Sequence, residues 1–215
     1  MEHLDTLIGR YPALAPIRGD IEAGFRLLSD AYRAGGKLLV AGNGGSCADA
    51  DHIVGELMKG FVLPRPVDAD LAERLRALDP VRGDLLARRL QGGLPAIALT
   101  QHPALSTAYM NDIDGGSVLV FAQQAYVLGR AGDVLLGIST SGNSENVLAA
   151  ALVARAQGMR VLALVGQRGG RLAELADVAI RVPATETYQI QEYHLPVYHA
   201  LCLMLEKEFF GGTTL

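Results

Sequence analysis

The sequence predicts an α/β protein built on a doubly wound, five-stranded parallel sheet with helices on both faces. Three observations carry this expectation. Short apolar runs at residues 38–41, 96–99, 134–138, 161–165 and 178–182 do not alternate with polar positions, as expected of strands buried on both faces. Helical stretches separate the runs, so that strand and helix alternate along the chain. Polar, glycine-rich loops follow two of the runs, at the strand ends where open α/β sheets bind ligands.

The elements follow in order. Residues 17–34 place Ile17, Ile21, Phe25, Leu28 and Tyr32 on one face and most of the charges elsewhere, an amphipathic helix. Gly35-Gly36 ends it, because glycine accepts the left-handed conformation at a helix terminus. This helix closes an N-terminal helical segment over about residues 1–35. The first strand then leads through Gly42-Asn43-Gly44-Gly45-Ser46 into a second helix carrying His52 and Glu56. Residues 64–93 interrupt the alternation. Pro64-Arg65-Pro66 opens a charged stretch in which Leu71, Leu75 and Leu78 mark one short helix, and a second spans 84–90 before Gly92-Gly93. Thirty residues cannot bury a core alone, so we expect a helical insertion within a single 215-residue domain. Further helices are expected at 118–128, 144–158 and 171–176, with Ser144 as N-cap and Gly158 as stop of the middle one. Pro196 should kink or interrupt any helix through the C-terminal stretch.

Composition narrows the function. Half of the residues are hydrophobic and 20% are charged, with 19 basic against 23 acidic side chains and a net charge of −4. No basic stripe suits a nucleic-acid groove. No apolar run approaches the ~18 residues of a membrane span, and the start MEHLDTLIGR does not read as a signal peptide, so a cytoplasmic protein is expected. Cys47 and Cys202 form no CxxC pair, which argues against a disulfide scaffold or a cysteine-based zinc knuckle.

The chemistry sits in two loops and two polar clusters. Asn43-Gly44-Gly45-Ser46 and Ser139-Thr140-Ser141-Gly142-Asn143-Ser144 both stand at strand-to-helix transitions. Such loops expose backbone N–H groups and hydroxyls to the positive end of the next helix, and can hold a phosphate without Lys or Arg. Neither matches the P-loop or GxGxxG pattern. The competing reading is a pair of glycine-rich turns, and the four hydroxyls of the second loop weigh against it. His52 and Glu56, four apart, project from one helix face, as a two-ligand metal pair or a surface ion pair would. His194 and His199 lie in a mostly apolar stretch after Gln191, where a histidine is a ligand or a satisfied core residue.

Taken together, GNGGS followed by His52 and Glu56, then GDVLLGISTSGNSENV, then IQEYH ending at His199, resembles the phosphoheptose isomerase branch of the sugar isomerase (SIS) domain family. The resemblance spans nearly the whole chain apart from 64–93. It implies the SIS fold, a flavodoxin-like sheet, and an aldose–ketose isomerase acting on sedoheptulose 7-phosphate. It implies that Ser139, Thr140, Ser141 and Ser144 hold the substrate phosphate. Asn43, Gly44, Gly45 and Ser46, with Asn111, Asp112, Glu56 and Gln191, would line the substrate. A zinc ion, one per subunit, would be held by His52, Glu56, Gln191 and His199, a donor set that suits it. Glu56 would be the base and His199 the acid, with the division of Glu56 between base and ligand left open. On one straight helix Gln191 and His199 stand roughly 12 Å apart. The resemblance implies a homotetramer, whose sites would be shared between subunits. Two alternatives remain: a catalytically silent relative that regulates replication initiation through the initiator protein, and a sugar-phosphate binding module. Retention of the whole His52, Glu56, Gln191 and His199 set favours the enzyme.

Overall fold

A computed structural model describes residues 1–212 of the chain. Helix α1 (Glu2–Arg10) and a 3₁₀ turn (Pro12–Ile17) precede α2 (Arg18–Arg33), which ends just before Gly35-Gly36. The five expected strands form within a residue or two of their predicted bounds: β1 (Leu38–Gly42), β2 (Ala96–Ala98), β3 (Val134–Ser139), β4 (Arg160–Val165) and β5 (Val178–Arg181). They make one fully parallel sheet in the order β2-β1-β3-β4-β5, with Leu38 opposite both Ala96 and Val134.

Alternate strand residues feed two separate cores. Leu38, Val40, Leu136, Ile138, Leu162 and Leu164 pack on one face against side chains from α1, α2 and α3 (Gly45–Met58). Leu39, Ala41, Leu135, Val161, Ala163 and Val165 pack on the other against Phe121, Val147, Leu148 and Leu172. Both faces are therefore dry, which is why the strand runs do not alternate in sequence.

The stretch at 64–93 folds as two helices, α4 (Ala69–Leu78) and α5 (Arg82–Arg89), close to the expected positions. Asp68 caps α4 by accepting from the Leu71 amide at 2.8 Å. The neck of the hairpin is pinned by an antiparallel bridge between Pro66 and Gln91 and by the Gly92 amide donating to the Arg65 carbonyl at 2.6 Å. Helix α6 (Pro103–Asp112) carries no periodic apolar face and was not expected; it has no buried residue. Then come α7 (Gly116–Leu128), α8 (Glu145–Ala156) and α9 (Gly170–Leu175), matching the three expected helices.

One expectation needs correction. Helix α10 (Thr187–Phe210) runs without interruption through Pro196. Proline removes one backbone donor, but Val197, Tyr198, Leu201 and Leu205 beyond it are all buried in the core. Their burial, at roughly 1.5–3 kcal/mol per large apolar side chain, exceeds the ~3 kcal/mol cost of an internal proline. Ser144 does occupy the N-cap of α8, yet its hydroxyl makes no capping bond. It turns to Ser139 instead. Among the described residues no helix is long and apolar enough to cross a membrane.

Candidate active site

From β1 the chain winds towards β2, and from β3 it winds the other way through β4 to β5. The crevice between the carboxyl ends of β1 and β3 is thus a topological switch point, the place where such sheets bind ligands. Both loops singled out in the sequence flank it. After β1, Gly44 adopts φ 56° and ψ −122° at the N-cap of α3, a conformation that residues with a Cβ rarely reach. Asn43 exchanges two amide hydrogen bonds with Asn146 at the start of α8, at 2.8 and 2.9 Å. This pair ties the two loops together.

The loop after β3 folds on its own hydroxyls. Ser139 and Ser144 Oγ atoms lie 2.9 Å apart, the Gly142 amide donates to Ser139 Oγ at 3.2 Å, and the Asn143 amide donates to Ser141 Oγ at 3.1 Å. Gly142 has φ 65°, and a Cβ there would collide with the Gly169 carbonyl in the loop after β4. Thr140, Ser141 and Asn143 form one wall of a cleft of about 180 Å³, with Gly166, Gln167 and Arg168 opposite and Thr185, Thr187 and Ile190 beside them. The hydroxyls of Thr140, Ser141, Thr185 and Thr187 and the N-terminal end of α10 suit this cleft to an anion, while Ser139 and Ser144 are not among its lining residues.

A second cluster lies further along α3, where α10 runs beside it. His52 Nε2 faces Glu56 Oε1 at 3.2 Å, and its Nδ1 is 2.9 Å from the Tyr198 hydroxyl. Tyr198 donates to Asp49 at 3.2 Å, which links Asp49, Tyr198, His52 and Glu56 in one run of hydrogen bonds. Glu56 Oε2 accepts from Lys59 at 2.7 Å. The His199 ring stands edge-on to His52, with centroids 4.9 Å apart. Its Nε2 is buried without a hydrogen-bond partner. Burial, and then the neighbouring His52, hold His199 below the ordinary histidine value. Burial pushes the Tyr198 hydroxyl up, with the Asp49 charge adding to it. It also raises the Asp49 carboxyl against the Tyr198 hydrogen bond.

The expected four-ligand set does not converge within one chain. A Cβ at Gly45 would lie 2.6 Å from Gln191 Nε2, which places Gln191 at the start of α3 beside the first loop. His199, eight positions on, is about 12 Å further along α10. Among the described residues no group of three or more His, Cys, Asp or Glu side chains is already arranged to hold a metal ion. The local chemistry still fits one: the buried His199 nitrogen lacks a partner, a histidine nitrogen faces a carboxylate, and Tyr198 and Asp49 orient His52 from behind. Asn111 and Asp112 end α6 in exposed positions, joined to each other at 2.9 Å.

The model of the SIS domain family matches residues 82–166. A phosphoheptose isomerase of Akkermansia muciniphila is 38% identical over 94% of this chain and 92% of its own length. One from Geotalea daltonii is 44% identical over 89% of this chain and 85% of its own. The chain belongs to the phosphoheptose isomerase family. Solved structures of phosphoheptose isomerases agree. The Neisseria gonorrhoeae protein is similar at TM-score 0.73 and 33% identity, over 96% of both chains. The Francisella tularensis protein is similar at TM-score 0.74 and 30% identity, over 96% of this chain and 95% of that one.

Within this family framework, several site residues carry no signal in local spacing. Asn146 pairs with a residue 103 positions away. Asp49 and Tyr198 meet only because α3 and α10 lie side by side. Arg168 was detectable in principle, since Gly166-Gln167-Arg168-Gly169-Gly170 is a third glycine-rich loop following a strand.

Proposed function

We propose that this chain isomerises sedoheptulose 7-phosphate to D-glycero-D-manno-heptose 7-phosphate through an enediol. The observation that carries the reading is the meeting of His52, Glu56 and His199 in a fold where the loops after β3 and β4 and the start of α10 line a hydroxyl-rich cleft. Ser139, Thr140, Ser141 and Ser144 bind the phosphate, and Asn43, Gly44, Gly45 and Ser46 line the sugar. Glu56 takes the proton from one substrate carbon and returns it to the next. His199, kept neutral by burial, exchanges a proton between the two oxygens. No electron is gained or lost overall. His52, Glu56 and His199, with Gln191, would hold zinc. Zinc when bound supplies Lewis-acid polarisation of the carbonyl and stabilises developing oxyanion charge.

The working form is a homotetramer with shared sites, residing in the cytoplasm. Two observations support sharing. Gln191 lies about 12 Å along α10 from His199, and Glu56 lies about 16 Å down α3 from Gly45, more than the seven-carbon chain spans. A second chain supplies what one chain separates. Incubation with sedoheptulose 7-phosphate, with and without a chelator, tests the reaction. We expect the aldose product without chelator and its loss with chelator, restored by added zinc. An inert protein across heptulose and hexulose phosphates would favour the binding-module reading.

A further inference from the structure

The most heavily buried charges in the chain lie outside the cluster described above. The side chains of Arg65 and Glu206 are both fully buried. Arg65 Nε donates to Glu206 Oε1 at 2.9 Å, and its guanidinium carbon sits 4.5 Å from the Phe210 ring centroid. The other two arms of the fork reach the end of α3: Nη1 donates to the Leu57 carbonyl at 2.8 Å and Nη2 to the Glu56 carbonyl at 3.3 Å. Both belong to the last turn of α3, whose carbonyls lack partners within the helix, and that of Leu57 also accepts from the Leu94 amide at 2.9 Å. Glu206 in turn accepts from the Phe61 and Val62 amides at 2.7 and 2.9 Å. The Phe61 ring stands 5.5 Å from the ring of His199.

Stability alone does not account for such a pair, because well-packed apolar residues of similar volume often replace a buried ion pair without loss. Geometry does. We propose that Arg65, locked by Glu206, is a positioning residue that fixes the backbone under Glu56 and thereby aligns the proposed base with His199. The inference rests on the isomerase reading above. One ion pair holds both partners of the proton transfer, Glu56 through its own carbonyl and His199 through Phe61. Lysine cannot replace it, since a point-charge ammonium cannot span Glu206 and two carbonyls in one plane. A misplacement of about 1 Å at a reacting group can cost on the order of a hundredfold in rate.

The test compares R65K and the charge-balanced double variant R65M/E206Q with the wild type, each assayed as assembled protein on sedoheptulose 7-phosphate. The double variant leaves no lone buried charge, so it keeps the test alive if R65K fails to fold. We expect kcat to fall at least about tenfold, in line with a displaced proton-transfer group. KM should change less than about threefold, because the anion cradle is untouched. A merely structural role lowers the melting temperature and leaves kcat of the folded protein alone. Folded variants with kcat within twofold of wild type would overturn the proposal while leaving the isomerase intact. An inert wild type would overturn the functional reading first, and this inference with it.

Discussion

At the scale of single residues, the two polar clusters make different kinetic predictions. Glu56→Gln keeps size and hydrogen bonding but removes the basic carboxylate, and His199→Asn removes the titrating ring. General acids and bases contribute 10²–10⁴-fold, so each should lower kcat by at least about a hundredfold with circular dichroism unchanged. Wild-type turnover in both would refute the roles. Ser141→Ala and Ser144→Ala should act on KM instead. Each removes a hydroxyl from a charged ligand, worth roughly 1.5–3 kcal/mol, or about ten- to hundredfold in KM. Equal kinetics in both variants would place the phosphate elsewhere. The hydroxyl loop was legible because its donors are adjacent in the chain and end a buried strand. His52 and Glu56 were legible because helical spacing alone puts them on one face. Asp49, Tyr198 and Asn146 were not, because each acts through a partner supplied by a distant element.

At the scale of elements, α10 joins core and site on one helix, and this has a pH consequence. His194 is completely buried and neither ring nitrogen has a partner. Burial pushes its pKa down to about 4. In the unfolded chain it titrates near 6.5, so between these values the unfolded state binds a proton that the folded state refuses. Its contribution to stability is therefore complete above about pH 6.5 and is lost as pH falls towards 4, on the order of 3 kcal/mol in all. Urea midpoints measured from pH 7 to pH 4.5 should fall more steeply for the wild type than for His194→Gln. Parallel slopes would show that His194 is not the responsible group. The strands were readable because dry faces force unbroken apolar runs. The uninterrupted α10 was not, because local rules weigh Pro196 without the core residues beyond it. Helix α6 escaped for the opposite reason: it buries nothing, so it has no periodic face to read.

At the scale of the whole molecule, the proposed sharing of sites between chains has a direct test. Helix α6 buries none of its residues, and Leu105, Met110, Ile113, Val118 and Leu119 on α6, α7 and their connection are at least a third exposed. Apolar surface of this kind is what a second chain would cover in the proposed assembly. Asn111 and Asp112, expected to line the substrate, sit beside it. The acid–base cluster meanwhile lies down α3 from Gly45 and the loop after β1. If neighbouring chains complete each site, two defective proteins should repair one another. In a mixture of Glu56→Gln with Ser141→Ala/Ser144→Ala, unfolded and reassembled together, one chain supplies an intact cradle and the other an intact carboxylate. Statistical pairing at a two-fold interface would restore roughly a quarter of the sites. Assayed at substrate well below the raised KM of the serine variant, neither parent refolded alone should recover. Light scattering on the same samples should give four times the 22.8 kDa chain mass. Activity no greater than the sum of the parents in the mixed tetramers would mean that each site is built from a single chain, and an active monomer at assay concentration would exclude shared sites altogether.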